Sequence, residues 1–190
     1  MKIEILDTDI LFDDFLKLER ITLKHELFDG TMSSTMERLV IPQNDAIGVL
    51  LYDPDEDTLI LVDQFRLPAH YKGHDIVTEI VAGIVEDGEN VEDALQREVL
   101  EESGYSINNW DFIMEFYSSP GFCSERILLY YAEVSREDKS ENGGGVEEEN
   151  EHLLVREFAP EDLFEQVKSN KIVDAKTIIA LQWFELKYRK

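Results

Sequence analysis

The segment from residue 83 to residue 105, GIVEDGENVEDALQREVLEESGY, constrains the fold of this chain more than any other. Asn90 is a good N-cap for a helix, and Gly104 is placed to end that helix in a left-handed conformation. Between these two residues, positions three and four apart share one face of the helix. Three acidic residues have this spacing and are predicted to form one carboxylate cluster: Glu98, Glu101 and Glu102. The segment therefore predicts a capped helix with acidic side chains on one face.

Three carboxylates so close together repel one another and raise one another's pKa. A bound divalent cation removes that conflict, and hard oxygen ligands suit Mg²⁺ or Mn²⁺ better than Zn²⁺. The same pattern also occurs on ordinary solvated helix surfaces, so the cluster alone leaves both interpretations open. Arg97 lies four residues from both Asp93 and Glu101. An ion pair at that spacing would orient the carboxylates or would be an ordinary surface pair.

Length and composition are typical of a globular protein with one core. The chain has 190 residues, of which 43% are hydrophobic. It has no apolar run long enough to span a membrane, and its acidic N-terminal stretch lacks the apolar region of a secretory signal. The single cysteine, Cys123, excludes an internal disulfide framework and fits a reducing compartment. We therefore expect a cytoplasmic protein.

The charge of the chain limits its partners. The net charge is −24, from 42 acidic and 18 basic residues. Such a field repels the phosphate backbone of nucleic acids and anionic membrane surfaces. It argues against nucleic-acid binding and against membrane attachment. A small phosphorylated substrate can still bind if metal ions bridge its phosphates to the carboxylates.

The order of predicted elements is that of an α/β (α+β) protein. About the first 40 residues are predicted to form a strand pair, FLKLERITLKHELFDG followed by TMSSTMERLVIP, with a turn at Asp29-Gly30. The remaining predicted strands are 46–52, 58–66, 74–83, DFIMEFYSSPG, RILLYYAEV and HLLVREFA, and the closing helices cover about 160–169 and 174–188. We expect a mixed β-sheet flanked by helices in residues 45–190, with residues 1–44 as an N-terminal antiparallel extension and no separate second domain.

Residues 135–151, SREDKSENGGGVEEENE, form a long acidic loop in this prediction. Loops of this length are either disordered or functional. The run Gly143–Gly145 is interpreted as a flexible linker, because it lacks the strand and helix that flank a phosphate-binding loop. His70 and His74 are not predicted to bind zinc, since no third ligand is evident.

The segment 83–105 resembles the Nudix box. The box has a glycine, five residues, a glutamate, seven residues and then Arg-Glu-apolar-x-Glu-Glu-x-Gly-apolar, and the chain matches all nine fixed positions over 23 residues. The resemblance implies the Nudix fold, in which a mixed β-sheet is sandwiched between helices. It also implies metal-dependent cleavage of a nucleoside diphosphate linked to another group.

Features outside the box are similar to the ADP-ribose pyrophosphatase branch of that family. Pro120 lies 16 residues after Gly104 within Ser119-Pro120-Gly121, and Ser124-Glu125-Arg126 follows closely. The other similar stretches are His25–Gly30, Asp63–Arg66, Glu149–Glu151 and the C-terminal KIVDAKTIIALQWFEL. The resemblance therefore covers nearly the whole chain.

This resemblance implies roles for individual residues. The implied metal ligands are the carbonyl of Ala82 with Glu98, Glu102 and Glu151. The implied catalytic residues are Glu149 as general base, Glu101 and Arg97. The implied substrate-binding residues are Phe15, Arg38, Arg66, Ile84, Ser119, Gly121 and Glu125. Without the resemblance, Glu149 and Glu151 fit a solvated acidic loop equally well, and which loop glutamate is the base stays open.

In this branch the N-terminal extension is exchanged across a homodimer. The resemblance then implies that Phe15 stacks on the adenine in the partner's site and that Arg38 reaches the nucleotide there. The expected reaction is Mg²⁺-dependent hydrolysis of ADP-ribose to AMP and ribose 5-phosphate, with Mn²⁺ as a possible substitute. One alternative is the same chemistry on another nucleoside diphosphate sugar, such as GDP-mannose or ADP-glucose. Another is a sensor that binds ADP-ribose without cleaving it, although a sensor has no need for the intact acidic cluster.

Overall fold

The computed structural model describes residues 1–146 and 151–188. The chain divides into two compact units. The first contains residues 1–44 together with 117–126, and the second contains the described residues of 45–116 and 127–188. The segment 117–126, which holds the Ser119-Pro120-Gly121 turn, thus belongs to the same unit as the N-terminal residues.

A three-stranded antiparallel sheet forms most of the first unit. Its strands are β1 (Ile3–Asp13), β2 (Lys17–His25) and β3 (Met36–Val40), in the order β1-β2-β3. The predicted turn at Asp29-Gly30 lies between β2 and β3, with Gly30 at a φ of +83°. The sequence predicted only a strand pair here. Strand β1 has two register shifts against β2, which interrupt the alternation of apolar and polar residues that marks a strand.

A mixed seven-stranded sheet forms the centre of the second unit. The elements along this part of the chain are β4 (Ala46–Asp53), β5 (Thr58–Gln64), α1 (Leu67–His70), β6 (Val77–Glu79), β7 (Val81–Ile84), α2 (Val91–Ser103), β8 (Asp111–Tyr117), β9 (Arg126–Glu133), a turn of 3-10 helix (Arg136–Asp138), β10 (Leu154–Phe158), α3 (Pro160–Lys168) and α4 (Ala175–Tyr188). The main strand order is β10-β5-β4-β9-β8, with β6 paired to β5 and β7 to β4. Strands β4 and β9 run parallel, whereas β4 is antiparallel to β5 and β7.

Helices cover both faces of this sheet. Successive residues of β4 alternate between two apolar clusters, because neighbouring side chains on a strand point to opposite faces. Leu50 belongs to the cluster that contains α3 and α4 residues, and Val49 and Leu51 belong to the cluster that contains Leu95 and Val99 of α2. The predicted fold, a mixed sheet sandwiched between helices, is confirmed. Among the described residues, none of the helices is long and apolar enough to cross a membrane.

Candidate active site

Helix α2 begins and ends where the sequence predicts. The side chain of Asn90 accepts a hydrogen bond of 2.9 Å from the backbone N–H of Asp93, and Gly104 ends the helix with a φ of +79°. Ala94, Leu95 and Val99 are fully buried and pack the helix against the sheet. This packing decides where the acidic residues of the same helix lie.

Strand β7 approaches α2 at the acidic residues. The backbone N–H of Ala82 donates to Oε2 of Glu102 at 3.1 Å. A Cβ atom on Gly83 would overlap the carboxylate of Glu98, so only a glycine allows this close approach. The strand therefore lies against Glu98 and Glu102, of which Glu102 is buried and Glu98 is half-buried.

Burial makes these carboxylates costly to ionise. Glu102 is 4% exposed, and burial raises its pKa to about 8, with Glu98 and Glu151 adding to the effect. Burial also raises the pKa of Glu98, although the hydrogen bond from Arg97 opposes the rise. A divalent cation would relieve both costs, and every side-chain donor here is a hard oxygen, which fits Mg²⁺. Within residues 1–146 and 151–188, however, no three acidic, histidine or cysteine side chains are already arranged as a metal-binding group.

Arg97 binds the acidic residues together. Its Nε and Nη2 atoms donate to the two carboxylate oxygens of Glu89 at 2.9 and 3.0 Å. Its Nη1 donates to Glu98 at 2.7 Å and to Glu101 at 3.3 Å. The expected pair with Glu101 is therefore present. Asp93 is held by Asn90 instead, because the side chain of Asn90 donates to it at 2.6 Å.

The glycine run Gly143–Gly145 caps the C-terminal end of α2. The N–H of Gly144 donates to the carbonyl of Glu102 at 2.9 Å, and the N–H of Gly145 donates to the carbonyl of Glu101 at 3.0 Å. These are carbonyl groups that a helix end leaves without a partner inside the helix. The interpretation of this run as a flexible linker was wrong. Sequence reasoning missed the contact because the run lies about forty residues from the helix end that it caps.

The same run leads to Glu151. The N–H of Glu151 donates to the carbonyl of Val146 at 3.2 Å, and a Cβ on Gly145 would lie 2.8 Å from the Cβ of Glu151. Glu151 lies close enough to Glu98 and Glu102 to raise the pKa of both. Glu151 therefore acts electrostatically on the two other predicted metal-binding carboxylates. Glu149, the predicted general base, lies outside the described residues.

Arg66 lies at the edge of this acidic region. Its Nε and Nη2 donate to the two carboxylate oxygens of Glu79, each at 3.0 Å. Glu102 is near enough to contribute to the raised pKa of Arg66. Ile84 is 48% exposed at the end of β7, and its carbonyl accepts from Nη2 of Arg97 at 3.1 Å.

Sequence reasoning missed Glu79 and Lys176, which both belong to this region. The Nζ of Lys176 donates to Glu79 at 2.6 Å. One signal was available, namely a glutamate within the largely apolar run IVTEIVAG. A second signal was the KIVDAKT stretch, which contains Lys176 and to whose residues the sequence analysis gives no individual role.

The first unit contains the remaining predicted substrate-binding residues. Phe15 is 92% exposed in the turn between β1 and β2. Arg38 lies in β3, where its Nη1 donates to the carbonyl of Glu37 at 2.8 Å. Both side chains are therefore accessible on this unit, with Phe15 at a strand end and Arg38 within a strand.

Ser119, Gly121 and Glu125 lie together in the segment 117–126. The carbonyl of Ser119 accepts hydrogen bonds from the N–H groups of Phe122 and Cys123 at 3.2 and 3.0 Å, which closes a turn. Gly121 is exposed, and a Cβ there would meet open space. Glu125 accepts from the hydroxyl of Ser118 at 3.0 Å.

Residues 42–181 match the sequence model of the NUDIX domain. This chain belongs to the Nudix family. It is 38% identical over 192 residues to an ADP-ribose pyrophosphatase of Haemophilus influenzae, which covers 98% of this chain and 87% of the relative. It is 33% identical over 190 residues to an ADP-ribose pyrophosphatase of Escherichia coli K12, and the match covers 98% of this chain and 90% of the relative. It is 31% identical over 189 residues to a GDP-mannose pyrophosphatase of Cronobacter sakazakii, and the match covers 98% of this chain and 97% of the relative.

A solved structure supports the Nudix fold. The crystal structure of an ADP compounds hydrolase matches with a TM-score of 0.75 over 100% of this chain and 98% of the other. The two sequences are 21% identical, so this likeness concerns the fold.

The contacts explain the fixed positions of the Nudix box in this chain. Gly83 leaves room for Glu98, and Glu89 anchors Arg97 from outside the helix. Arg97 in turn orients Glu98. Gly104 ends the helix where a Cβ would collide with the carbonyl of Glu141 in the acidic loop. Five of the nine fixed positions of the Nudix box therefore have a steric or an electrostatic reason in this structure.

Proposed function

We propose that this protein is a Mg²⁺-dependent Nudix hydrolase that cleaves the diphosphate of ADP-ribose to give AMP and ribose 5-phosphate. The observation that carries the proposal is the acidic site itself, where Glu98 lies against Gly83 and Glu102 accepts a hydrogen bond from the N–H of Ala82. Glu151 and Arg66 are near enough to act electrostatically on Glu102. Such a site suits a substrate whose anionic phosphates need both a cation and an arginine. The relatives named ADP-ribose pyrophosphatase, at 33% and 38% identity over nearly the full chain, support the choice of ADP-ribose.

In this proposal, Glu98, Glu102, Glu151 and the carbonyl of Ala82 hold Mg²⁺. When bound, the metal neutralises the charge of the diphosphate and lowers the pKa of water. Arg97 keeps Glu98 and Glu101 in place through hydrogen bonds of 2.7 and 3.3 Å. Arg66 binds a phosphate oxygen through the N–H groups that Glu79 does not use.

The general base in this proposal is Glu149, by the resemblance to the ADP-ribose pyrophosphatase branch. Its carboxylate takes a proton from the attacking water while the new bond from oxygen to phosphorus forms and the bridging bond breaks. The glycine run Gly143–Gly145, which precedes Glu149 in the sequence, caps the helix of the acidic residues.

We also propose a homodimer in which residues 1–44 are exchanged and residues 45–190 form the Nudix domain. In it, Phe15 stacks on the adenine and Arg38 contacts the nucleotide. By the same resemblance, Ile84, Ser119, Gly121 and Glu125 are substrate-binding residues. Support comes from β1, all of whose residues are exposed in the single chain, including the apolar Ile3 and Ile5. Apolar side chains in such a strand favour a partner surface.

The partners and compartment follow from charge and cysteine content. We propose that the protein acts on a small nucleotide sugar and not on nucleic acid, because its net charge of −24 repels polyphosphate. The single cysteine fits a reducing cytoplasm.

The proposal is tested by phosphate release from ADP-ribose, ADP-glucose, GDP-mannose and diadenosine polyphosphates, with Mg²⁺ and a coupled phosphatase. We expect a preference for ADP-ribose that is lost with EDTA. The Glu102→Gln variant, prepared in the same way, is the matched negative control. A preference for GDP-mannose would change the proposed substrate and leave the proposed catalytic residues unchanged. GDP-mannose is the second candidate because one of the relatives is a GDP-mannose pyrophosphatase. Binding without hydrolysis of any compound would contradict the enzyme and indicate a sensor.

A further inference from the structure

Glu79 is a buried carboxylate that the proposed chemistry does not use. It is 4% exposed and lies at the end of β6. Its two oxygens accept parallel hydrogen bonds of 3.0 Å from Nε and Nη2 of Arg66. The Arg66 side chain is 45% exposed, so one edge of the guanidinium is fixed against Glu79 while the rest stays accessible.

A second cation, Lys176, also binds the carboxylate of Glu79. Lys176 of α4 donates to Oε2 of Glu79 at 2.6 Å and pairs with Asp174 at 3.1 Å, and its side chain is only 12% exposed. Burial opposes ionisation of Glu79, but Arg66 and Lys176 together hold its pKa below the ordinary value. Glu79 is therefore a charged carboxylate between two cations.

The start of α4 is itself attached to this part of the sheet. Asp174 accepts hydrogen bonds from the N–H and the hydroxyl of Thr177 at 3.0 and 2.7 Å. The Thr177 hydroxyl oxygen in turn accepts from the N–H of Ile80, the residue after Glu79, at 2.9 Å. Thr177 is completely buried. Both ends of the pair between Lys176 and Glu79 thus have little freedom to move.

Two further carboxylates attract the Arg66 guanidinium electrostatically, namely Glu102 and Asp174. Asp174 is occupied by Thr177 and Lys176, whereas Glu102 accepts only the N–H of Ala82 among the hydrogen bonds described. An arginine that turned towards Glu102 would neutralise a carboxylate needed for the metal and would no longer face the substrate. The bidentate contact with Glu79 occupies Nε and Nη2 and opposes that rotation, because a planar guanidinium binds one carboxylate in a fixed orientation.

We infer that Glu79 and Lys176 are positioning residues, which hold the Arg66 guanidinium ready for the anionic diphosphate and away from the metal-binding carboxylates. This inference rests on the proposed function, in which Arg66 binds the phosphates. It assigns a role to Lys176 in the C-terminal KIVDAKT stretch, which lies 97 residues from Glu79 along the chain.

The test is a double-mutant cycle on the full chain with saturating Mg²⁺, measuring KM and kcat for ADP-ribose together with the thermal midpoint. The variants are Arg66→Ala, Glu79→Gln, the double variant of both, and Lys176→Met. We expect Glu79→Gln to raise KM about tenfold with a smaller change in kcat, within the range of coupling seen in one ion-pair network. Lys176→Met should raise KM in the same direction. The double variant should have the same KM as Arg66→Ala alone, because Glu79 acts only through Arg66.

A matched control is Arg156→Met, which removes the ion pair of 3.2 Å between Arg156 and Asp63 on the neighbouring strands β10 and β5. This control should lower stability without changing KM. Effects of Arg66→Ala and Glu79→Gln that multiply in the double variant would overturn the inference, since Glu79 would then act independently of Arg66. The inference would also be overturned if Arg66→Ala raised KM and Glu79→Gln left KM unchanged. The proposed function would stand in that case. If the wild-type protein neither cleaves nor binds ADP-ribose by calorimetry, the proposed function itself fails and the inference fails with it.

Discussion

At the scale of single residues, Glu102 is the carboxylate of the site whose ionisation the fold opposes most strongly, because burial raises its pKa to about 8. It is 4% exposed and accepts one hydrogen bond from the backbone of Ala82. Its neighbours Glu98 and Glu151 add repulsion to the cost of burial. A cation bound there would remove this cost, so the titration of Glu102 reports on the proposed role.

Glu102→Gln should lower turnover about a thousandfold while the fold remains, because a lost metal ligand removes several kcal/mol of transition-state stabilisation. The measurement is kcat for ADP-ribose together with the circular dichroism spectrum. Normal turnover in this variant would refute the assignment of Glu102 as a metal ligand.

The pH dependence of stability gives a second prediction for Glu102. Its pKa is raised from 4.5 to about 8 in the folded protein, so the folded state binds this proton more tightly than the unfolded state. The contribution of Glu102 to the free energy of unfolding is therefore full below pH 4.5 and is lost as the pH rises through about 8. Urea unfolding with EDTA should show this loss in the wild type and a smaller one in Glu102→Gln. Equal slopes in the two proteins would contradict the prediction.

At the scale of elements, helix α2 is held at its sides and at its end by different segments. Strand β7 contacts it through Ala82 and Gly83, and the glycine run caps its C-terminal end. Gly145 has a φ of +84° and lies against Glu151. The run thus connects the geometry of the helix end to the position of a predicted metal ligand.

Gly145→Ala should weaken Mg²⁺ binding and lower kcat about tenfold, because the added Cβ would displace Glu151. The readouts are the Mg²⁺ concentration for half-maximal activity and Mn²⁺ binding by electron paramagnetic resonance. Gly73→Ala is the matched control, since Gly73 has a φ of +92° but open space around its Cα. The alanine of the Gly73→Ala variant would introduce a comparable left-handed backbone strain of about 1–2 kcal/mol, but it would not contact the site. Equal losses in both variants would attribute the effect to strain alone.

At the scale of the whole molecule, the first unit presents an exposed strand with apolar side chains. Ile10 of β1 is 56% exposed in the single chain, and the neighbouring Phe12 is 48% exposed. The proposed exchange of residues 1–44 between two copies would cover such side chains.

Ile10→Glu should therefore convert a dimer into a monomer and lower turnover of ADP-ribose, because the partner's Phe15 and Arg38 would be lost from the site. Analytical ultracentrifugation at several protein concentrations measures the change. Thr8→Glu is the control, since it adds the same charge at another exposed position of the same strand. A wild-type protein that sediments as a monomer and is fully active would exclude the exchanged dimer.

The sequence predicts best the features that depend on neighbouring residues. Asn90 and Gly104 identify the ends of α2 because capping acts within one turn, and the apolar strands of the central sheet are visible as short runs. Strand β1 was missed because its two register shifts interrupt the alternation on which a strand prediction rests. The partner of Arg97 was incompletely predicted, since Glu89 lies outside the helix and reaches it only through the fold of the preceding loop.

The sequence by itself determined the helix with its acidic face, the mixed sheet and the family, because periodicity, capping and the fixed spacing of the Nudix box are all local properties. Only the tertiary structure decided that the glycine run caps α2 and that Lys176 reaches Glu79 beside Arg66. These contacts join residues about 40 and 97 positions apart along the chain. Burial and charge pairing between distant segments depend on how the chain packs, so no local pattern reveals them.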